Sequence, residues 1–230
     1  FMGLVGSEMC IRDRYIVSEG KGILAADESN PTCGKRFDSI GVESSEENRR
    51  DYRELLFRSD GMVGNIGGVI LFDETIRQNA ADGTSLVDLI SSQGALPGIK
   101  VDKGLQQMDD SEESLTQGLD GLDERLKEYF ALGARFTKWR AVINIGMGLP
   151  SSEAISANME ALADYAKIVQ NNNMVPMVEP EVLMEGDHSI DACYEATSKC
   201  LDSLFSNLSA KGVDIKGTIL KPNMVTSGSA

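Results

Sequence analysis

The chain has 230 residues, 41% of them hydrophobic and 25% charged, which suits a globular protein with length for one large domain or two small ones. A net charge of −14 argues against a nucleic-acid or anionic-membrane surface, while leaving room for a local basic pocket that takes an anion. No apolar run approaches the roughly 20 residues that span a bilayer. Cys10, Cys33, Cys193 and Cys200 form no C-x-x-C pair, so neither a zinc site nor a disulfide framework is indicated, and a reducing, cytoplasmic setting fits.

Residues 1–14 sit badly with the rest of the chain. Met9-Cys-Ile-Arg-Asp-Arg14 reads like translated adaptor or vector sequence, and the stretch lacks the apolar core of a signal peptide. Residues 1–14 are therefore set aside as a leader that does not look native, and 15–230 are read as one domain. The first strand is Ile23 to Asp27, entered through Gly20 and Gly22. Ser44 and Glu47 then spell a capping box, with Tyr52, Leu55 and Leu56 on one helical face behind it. The second strand, Ile66 to Phe72, is a nearly continuous apolar run of the kind covered on both faces. A short helix around Leu86 to Ile90 leads to a third strand, Gly98 to Asp102, and Leu119, Leu122, Leu126, Tyr129 and Phe130 step along a helix.

The fourth strand is Phe136 to Ile143, with Lys138 and Arg140 on one face and Thr137 and Trp139 on the other, because the strand period is two. Pro150 and Ser151 open a helix with Ile155, Met159, Leu162, Ala166 and Val169 in register. The fifth strand is Val175 to Glu179, ended by Pro180. Asp187 is the expected N-cap of a helix carrying Ile190, Cys193, Thr197, Leu201, Leu204 and Leu208. The sixth strand, Thr218 to Leu220, delivers Lys221, after which Pro222 stops it. Six strands alternating with helices predict a parallel α/β sheet. A dinucleotide fold wants a glycine fingerprint after the first strand, where Ala26-Asp-Glu-Ser29 stands instead. Gly146-Met-Gly148 lacks the third glycine, and no G-x-x-x-x-G-K-[ST] occurs.

Charged residues gather at the strand ends: Asp27, Lys100, Lys138 with Arg140, Glu179 with Glu181, and Lys221. Such side chains are costly inside a parallel barrel unless paired, and in a barrel the C-terminal strand ends converge on one mouth. The alternative for Lys100 and Arg140 is a structural salt bridge. His188 is the sole histidine, beside Asp187 at a helix start, and reads as a surface residue, so histidine-rich metal sites and a Ser-His-Asp triad are poorly served. Lysine chemistry fits better. A neutral amine attacks a carbonyl to form a Schiff base, with Lys221 as nucleophile and Lys138 as the cationic neighbour that favours the neutral form. Glu179 is placed to shuttle protons and Asp27 to take one from a substrate hydroxyl.

These residues lie in segments that together resemble the class I, Schiff-base fructose-bisphosphate aldolases. The segments are Gly20-Lys-Gly-Ile-Leu-Ala-Ala-Asp-Glu-Ser29, Glu46-Glu-Asn-Arg-Arg50, Gly67-Gly-Val-Ile-Leu-Phe72, Gly98-Ile-Lys-Val-Asp-Lys-Gly104 and Thr116-Gln-Gly-Leu-Asp-Gly-Leu122. Lys138-Trp-Arg140, Val175-Pro-Met-Val-Glu-Pro-Glu181 and Leu220-Lys-Pro-Asn-Met-Val225 complete the set, which runs from about Ile16 to the end. The resemblance implies a (β/α)8 TIM barrel, here truncated to about its first six β/α units. It also implies a glycolytic lyase, reversibly cleaving fructose 1,6-bisphosphate to dihydroxyacetone phosphate and glyceraldehyde 3-phosphate. By the family pattern Lys221 is the Schiff-base lysine, Glu179 the acid/base carboxylate and Asp27 the residue assisting C–C cleavage, with Lys138 and Glu181 in the same site. Lys100, Arg140, Ser29, Thr32 and Arg36 map to substrate or phosphate contacts. No metal or other cofactor is implied. The implied partners are a sugar phosphate and further copies of the chain in a homotetramer, with no nucleic acid and no membrane.

The sequence departs from the family pattern in its leader and in lacking strands seven and eight, their phosphate-binding segments and the C-terminal tail. The expectation is that the chain as given is an unstable or inactive part of an aldolase. Two rival readings remain: a metal-dependent aldolase, opposed by the single histidine, and a non-catalytic interaction protein on the same fold.

Overall fold

A computed structural model describes residues 11–109 and 111–230, which divide into two compact units. The first comprises residues up to Lys100 together with Leu126–Thr137, and the second comprises Val101–Arg125 and Lys138–Ala230.

Three parallel strands build the first unit: β1 (Gly22–Ala26), β2 (Ile66–Leu71) and β3 (Leu96–Lys100). Leu24 stands opposite Val69, and Ile70 opposite Gly98. Every residue of β2 after Ile66 is buried, as its continuous apolar run requires. The glycines interrupting these strands are set by close approach. A Cβ on Gly98 would lie 2.3–2.5 Å from the Phe136 ring, one on Gly68 2.9 Å from the same ring, and one on Gly67 2.3 Å from the Ile16 carbonyl oxygen. Residues 11–16 are helical, and Ile16 is fully buried. Residues 1–10, the larger part of the expected leader, lie outside the described residues.

Helix 46–57 corrects the sequence reading twice. Its N-cap is Ser45, whose hydroxyl accepts from the Asn48 N–H at 3.1 Å, rather than Ser44. Its buried residues are Arg49, Arg53 and Phe57, while Leu55 is exposed. Arg53 is accommodated because its guanidinium donates to the carbonyls of Ala26 and Glu28, satisfying a charge that burial would otherwise penalise. Arg49 does the same with Glu74, at 2.6 Å.

The second unit opens with an antiparallel hairpin that periodicity did not announce, β4 (Leu105–Gln107) and β5 (Ser114–Thr116). Buried Glu113 pins it by accepting from the Ser151 N–H at 2.8 Å, the N-cap of helix 152–171. Asn158 on that helix donates to the Ser114 carbonyl at 2.8 Å. Strand β6 (Phe136–Ile143) has its expected bounds, and its residues from Lys138 onward belong to this unit. Trp139 is fully buried against Tyr165, with ring centroids 5.3 Å apart. Helix 152–171 buries Ile155, Met159, Leu162, Ala166 and Val169 as patterned, the larger of them contributing about 1.5–3 kcal/mol each.

Strand β7 (Val175–Val182) runs through Pro180 instead of ending before it, and the Leu183 N–H donates to the Ile143 carbonyl at 3.0 Å. Helix 190–210 is capped by Ser189, whose hydroxyl accepts from the Ala192 N–H, and not by Asp187. Strand β8 (Ile219–Leu220) pairs in parallel with β7, Met177 opposite Ile219 and Val178 opposite Leu220. The turn before it is held by Gln170, which donates to the Asp214 carbonyl and accepts from the Asp214 N–H, at 2.8 and 2.9 Å. Among the described residues no helix is long and apolar enough to cross a membrane.

Candidate active site

A cluster of charge in the second unit lies on three successive strands of the alternating pattern. Lys138 is the third residue of β6, Glu179 the fifth of β7, and Lys221 the first residue after β8. Glu179 is the hub. Its Oε2 lies 2.8 Å from the Lys138 Nζ and its Oε1 receives the Lys221 Nζ. The carboxylate and Lys138 are buried, whereas the Lys221 side chain is 44% exposed, so one amine is sealed into the core and the other faces outward. Lys138 and Lys221, expected as neighbours, face the same carboxylate: Lys221 donates to Oε1, and Lys138 forms an ion pair with Oε2. The Lys221 N–H donates to the Val178 carbonyl at 3.0 Å, extending the β7–β8 ladder by one residue beyond the strand.

A second pair flanks the hub. Arg140 and Glu181, each two residues further along its strand and therefore on the same face, form an ion pair through Nε and Oε2. Both are partly exposed. Thr116, on the hairpin, donates its hydroxyl to the Arg140 carbonyl at 2.8 Å and fixes the backbone from which that guanidinium projects.

The remaining expected site residues belong to the first unit. Asp27 follows β1 directly and Lys100 is the last residue of β3, so both stand at C-terminal strand ends. The hydroxyls of Ser29 and Thr32 are 3.0 Å apart at the start of helix 30–38. Arg36, on the same helix, is ion-paired with Glu28, and that carboxylate holds the guanidinium in its charged form. Glu28 also receives Arg53 and the Tyr52 hydroxyl, at 3.4 and 3.2 Å.

His188, expected at the surface, is half-buried. Both ring nitrogens are buried and find no hydrogen-bond partner among the described residues, and the side chain lines a cleft of about 410 Å³ with Leu149, Pro150, Glu195 and Lys199. Asn223 was not singled out from the sequence. Its side-chain oxygen accepts from the Val182 N–H at 3.3 Å and its amide donates to the Thr197 hydroxyl at 3.1 Å. The available signal was an amide two residues beyond the strand-end lysine, where the proline has already removed a ladder donor.

Comparison with known proteins identifies the family. The family model described as fructose-bisphosphate aldolase class-I matches residues 8–230. A probable fructose-bisphosphate aldolase class 1 of Xanthomonas campestris is 54% identical over 214 residues, 93% of this chain and 64% of the relative. The cytosolic fructose-bisphosphate aldolase 6 of Arabidopsis thaliana is 51% identical over 230 residues, covering all of this chain and again 64% of the relative. The solved structure of fructose-bisphosphate aldolase from Plasmodium falciparum, in complex with TRAP and a small molecule inhibitor, superposes with a TM-score of 0.96 at 48% identity. That match takes in 98% of this chain and 66% of the other. The fold is thus that of the first six strand–helix units of a (β/α)8 barrel, and the chain spans a little under two thirds of the curated relatives' length. On these matches the chain belongs to the class I fructose-bisphosphate aldolase family.

Proposed function

We propose that the protein cleaves fructose 1,6-bisphosphate reversibly through a Schiff base on Lys221. The observation that carries this reading is the carboxylate of Glu179 gripped by two amines, one buried and one open to solvent. An amine reacting with a ketone needs a group within reach that first takes up and then gives back a proton, and Glu179 touches the Lys221 nitrogen itself.

The Lys221 nitrogen adds to the C2 carbonyl of the open-chain sugar. Glu179 supplies the proton with which the carbinolamine hydroxyl leaves as water, giving an iminium. Scission of C3–C4 sends its electron pair into the iminium as an enamine, while the C4 hydroxyl gives its proton to a carboxylate base, the role the family resemblance assigns to Asp27, and glyceraldehyde 3-phosphate departs. Protonation of the enamine at C3 and hydrolysis of the imine return dihydroxyacetone phosphate and the free amine. Lys138 holds the Glu179 carboxyl group in position throughout. Arg140, Lys100, Ser29, Thr32 and Arg36 serve substrate and phosphate contacts in this reading, with Glu181 orienting Arg140. The iminium itself is the electron sink, so the scheme uses no metal or other cofactor. A cytoplasmic setting accords with the cytosolic name of the Arabidopsis relative, and a homotetramer belongs to the same proposal.

Borohydride reduction in the presence of dihydroxyacetone phosphate tests it in the full-length protein. The expected product is a secondary amine at Lys221, located by peptide mass spectrometry and lost in Lys221→Met. No adduct, or an adduct on another lysine, overturns the assignment.

A further inference from the structure

We propose that Asn223 is the positioning residue that holds Lys221 against Glu179, an inference that rests on the Schiff-base reading above. Strand β8 contributes only two residues to its ladder, and Lys221 adds one more bond through its N–H. Pro222 then has no N–H to give, so main-chain pairing cannot continue past the lysine. A strand this short leaves the direction of the following residue weakly fixed, and the Lys221 side chain is too exposed for packing to fix it instead.

The side chain of Asn223 takes over where the ladder stops. Its oxygen accepts from the N–H of Val182, the last residue of β7 and three beyond Glu179. Its amide donates to the hydroxyl of Thr197, a buried residue of helix 190–210, and to the Met224 carbonyl at 3.0 Å. The segment leaving Lys221 is thereby tied both to the strand that carries Glu179 and to the helix packed behind it. A carboxamide is suited to this position because it presents an acceptor and donors together. Aspartate keeps the acceptor and loses the donor to Thr197, and alanine loses both. The reacting nitrogen and its proton shuttle sit on adjacent strands, so a displacement of about 1 Å at Lys221 costs on the order of 100-fold in rate.

The test compares wild type, Asn223→Ala, Thr197→Val and Thr197→Ser in the full-length protein. The readouts are steady-state cleavage of fructose 1,6-bisphosphate and the rate of borohydride trapping with saturating dihydroxyacetone phosphate. Asn223→Ala is expected to lower kcat and the trapping rate together by about 10–100-fold, with KM changing by a smaller factor. Thr197→Val is expected to give an intermediate loss in both, and Thr197→Ser, which restores the acceptor, a return to within about twofold of wild type. Wild-type kcat and trapping rate in Asn223→Ala, with only a lower melting temperature, overturn the proposal. Should that variant fail to fold, wild-type kcat in Thr197→Val overturns it equally. Absence of trapping in the wild type sinks the Schiff-base reading instead, so the two failures are told apart.

Discussion

The Lys138 amine and the Glu179 carboxylate meet at 2.8 Å with less than a tenth of either side chain exposed, whereas the Lys221 amine reaches the same carboxylate from a side chain that is 44% exposed. The two lysines therefore differ in what their removal leaves behind. Lys138→Ala leaves a buried carboxylate facing the outward-directed Lys221 amine alone among the described residues, and is expected to cost about 3–5 kcal/mol of unfolding free energy. Lys221→Ala removes an amine that water already screens, and is expected to cost about 1 kcal/mol or less. Urea unfolding of the two variants against wild type gives both numbers. Equal losses would mean that the burial difference between the amines has no energetic weight.

A second expectation concerns how β3 is packed. With no room between Gly98 and the Phe136 ring, Gly98→Ala forces the aromatic side chain or the strand to move. Overpacking of this kind costs about 1–3 kcal/mol. The double variant Gly98→Ala/Phe136→Leu, with a smaller and more flexible facing side chain, should recover part of the loss. A double variant no more stable than the sum of its parts would show that the contact is not what excludes a side chain at Gly98.

The parts of this structure legible in the sequence were those governed by periodicity. Strand β6 and helix 152–171 follow from runs of buried residues at the right spacing, and the strand-end charges followed from those strands. The parts that escaped depend on partners distant in the chain. Leu55 and Leu56 have the spacing of an inward face on helix 46–57, but Glu74 and the carbonyls of Ala26 and Glu28 make it cheaper to bury Arg49 and Arg53. Hairpin strands β4 and β5 are three residues each and largely polar, and Glu113 and Asn158 hold them through bonds to residues about forty positions away. Adjacent serines offered two N-caps for helix 46–57, and composition could not say which hydroxyl would face the Asn48 N–H. The link from Asn223 to Val182 and Thr197 was invisible for the same reason: the motif contained the residue but not what it touches.

The pair Arg49–Glu74 carries a pH dependence. Hydrogen bonds from Arg49 hold the Glu74 carboxyl below its ordinary value of 4.5. A carboxyl acidified on folding stabilises the folded state above the unfolded-state value, and that stabilisation is lost as pH falls through the folded-state value. Glu74→Gln is therefore expected to lose about 3 kcal/mol at pH 7. The gap to wild type should narrow as pH falls below 4.5, because wild type then protonates the same group. Urea unfolding at pH 7 and pH 3 measures the two gaps. A gap that is unchanged or wider at pH 3 would assign the loss to packing instead of charge.

Cys200 gives the opposite sign at the alkaline end. It is buried on helix 190–210, and burial pushes its thiol up to about 11. At pH 8 about one molecule in a thousand then carries the thiolate, the form that reacts with alkylating reagents. Iodoacetamide is accordingly expected to label Cys200 of the native protein at least about 100-fold more slowly than a free thiol, and at the ordinary rate once urea has unfolded the chain. A thiol whose folded value is raised keeps its full contribution below the unfolded value of about 9 and loses it as pH climbs towards 11. Wild type should therefore lose stability between pH 9 and pH 11 faster than Cys200→Ala, which has no proton to release there. Site-resolved mass spectrometry and unfolding at the two pH values read these outcomes independently, and native labelling at the free-thiol rate would show that the helix opens locally around Cys200.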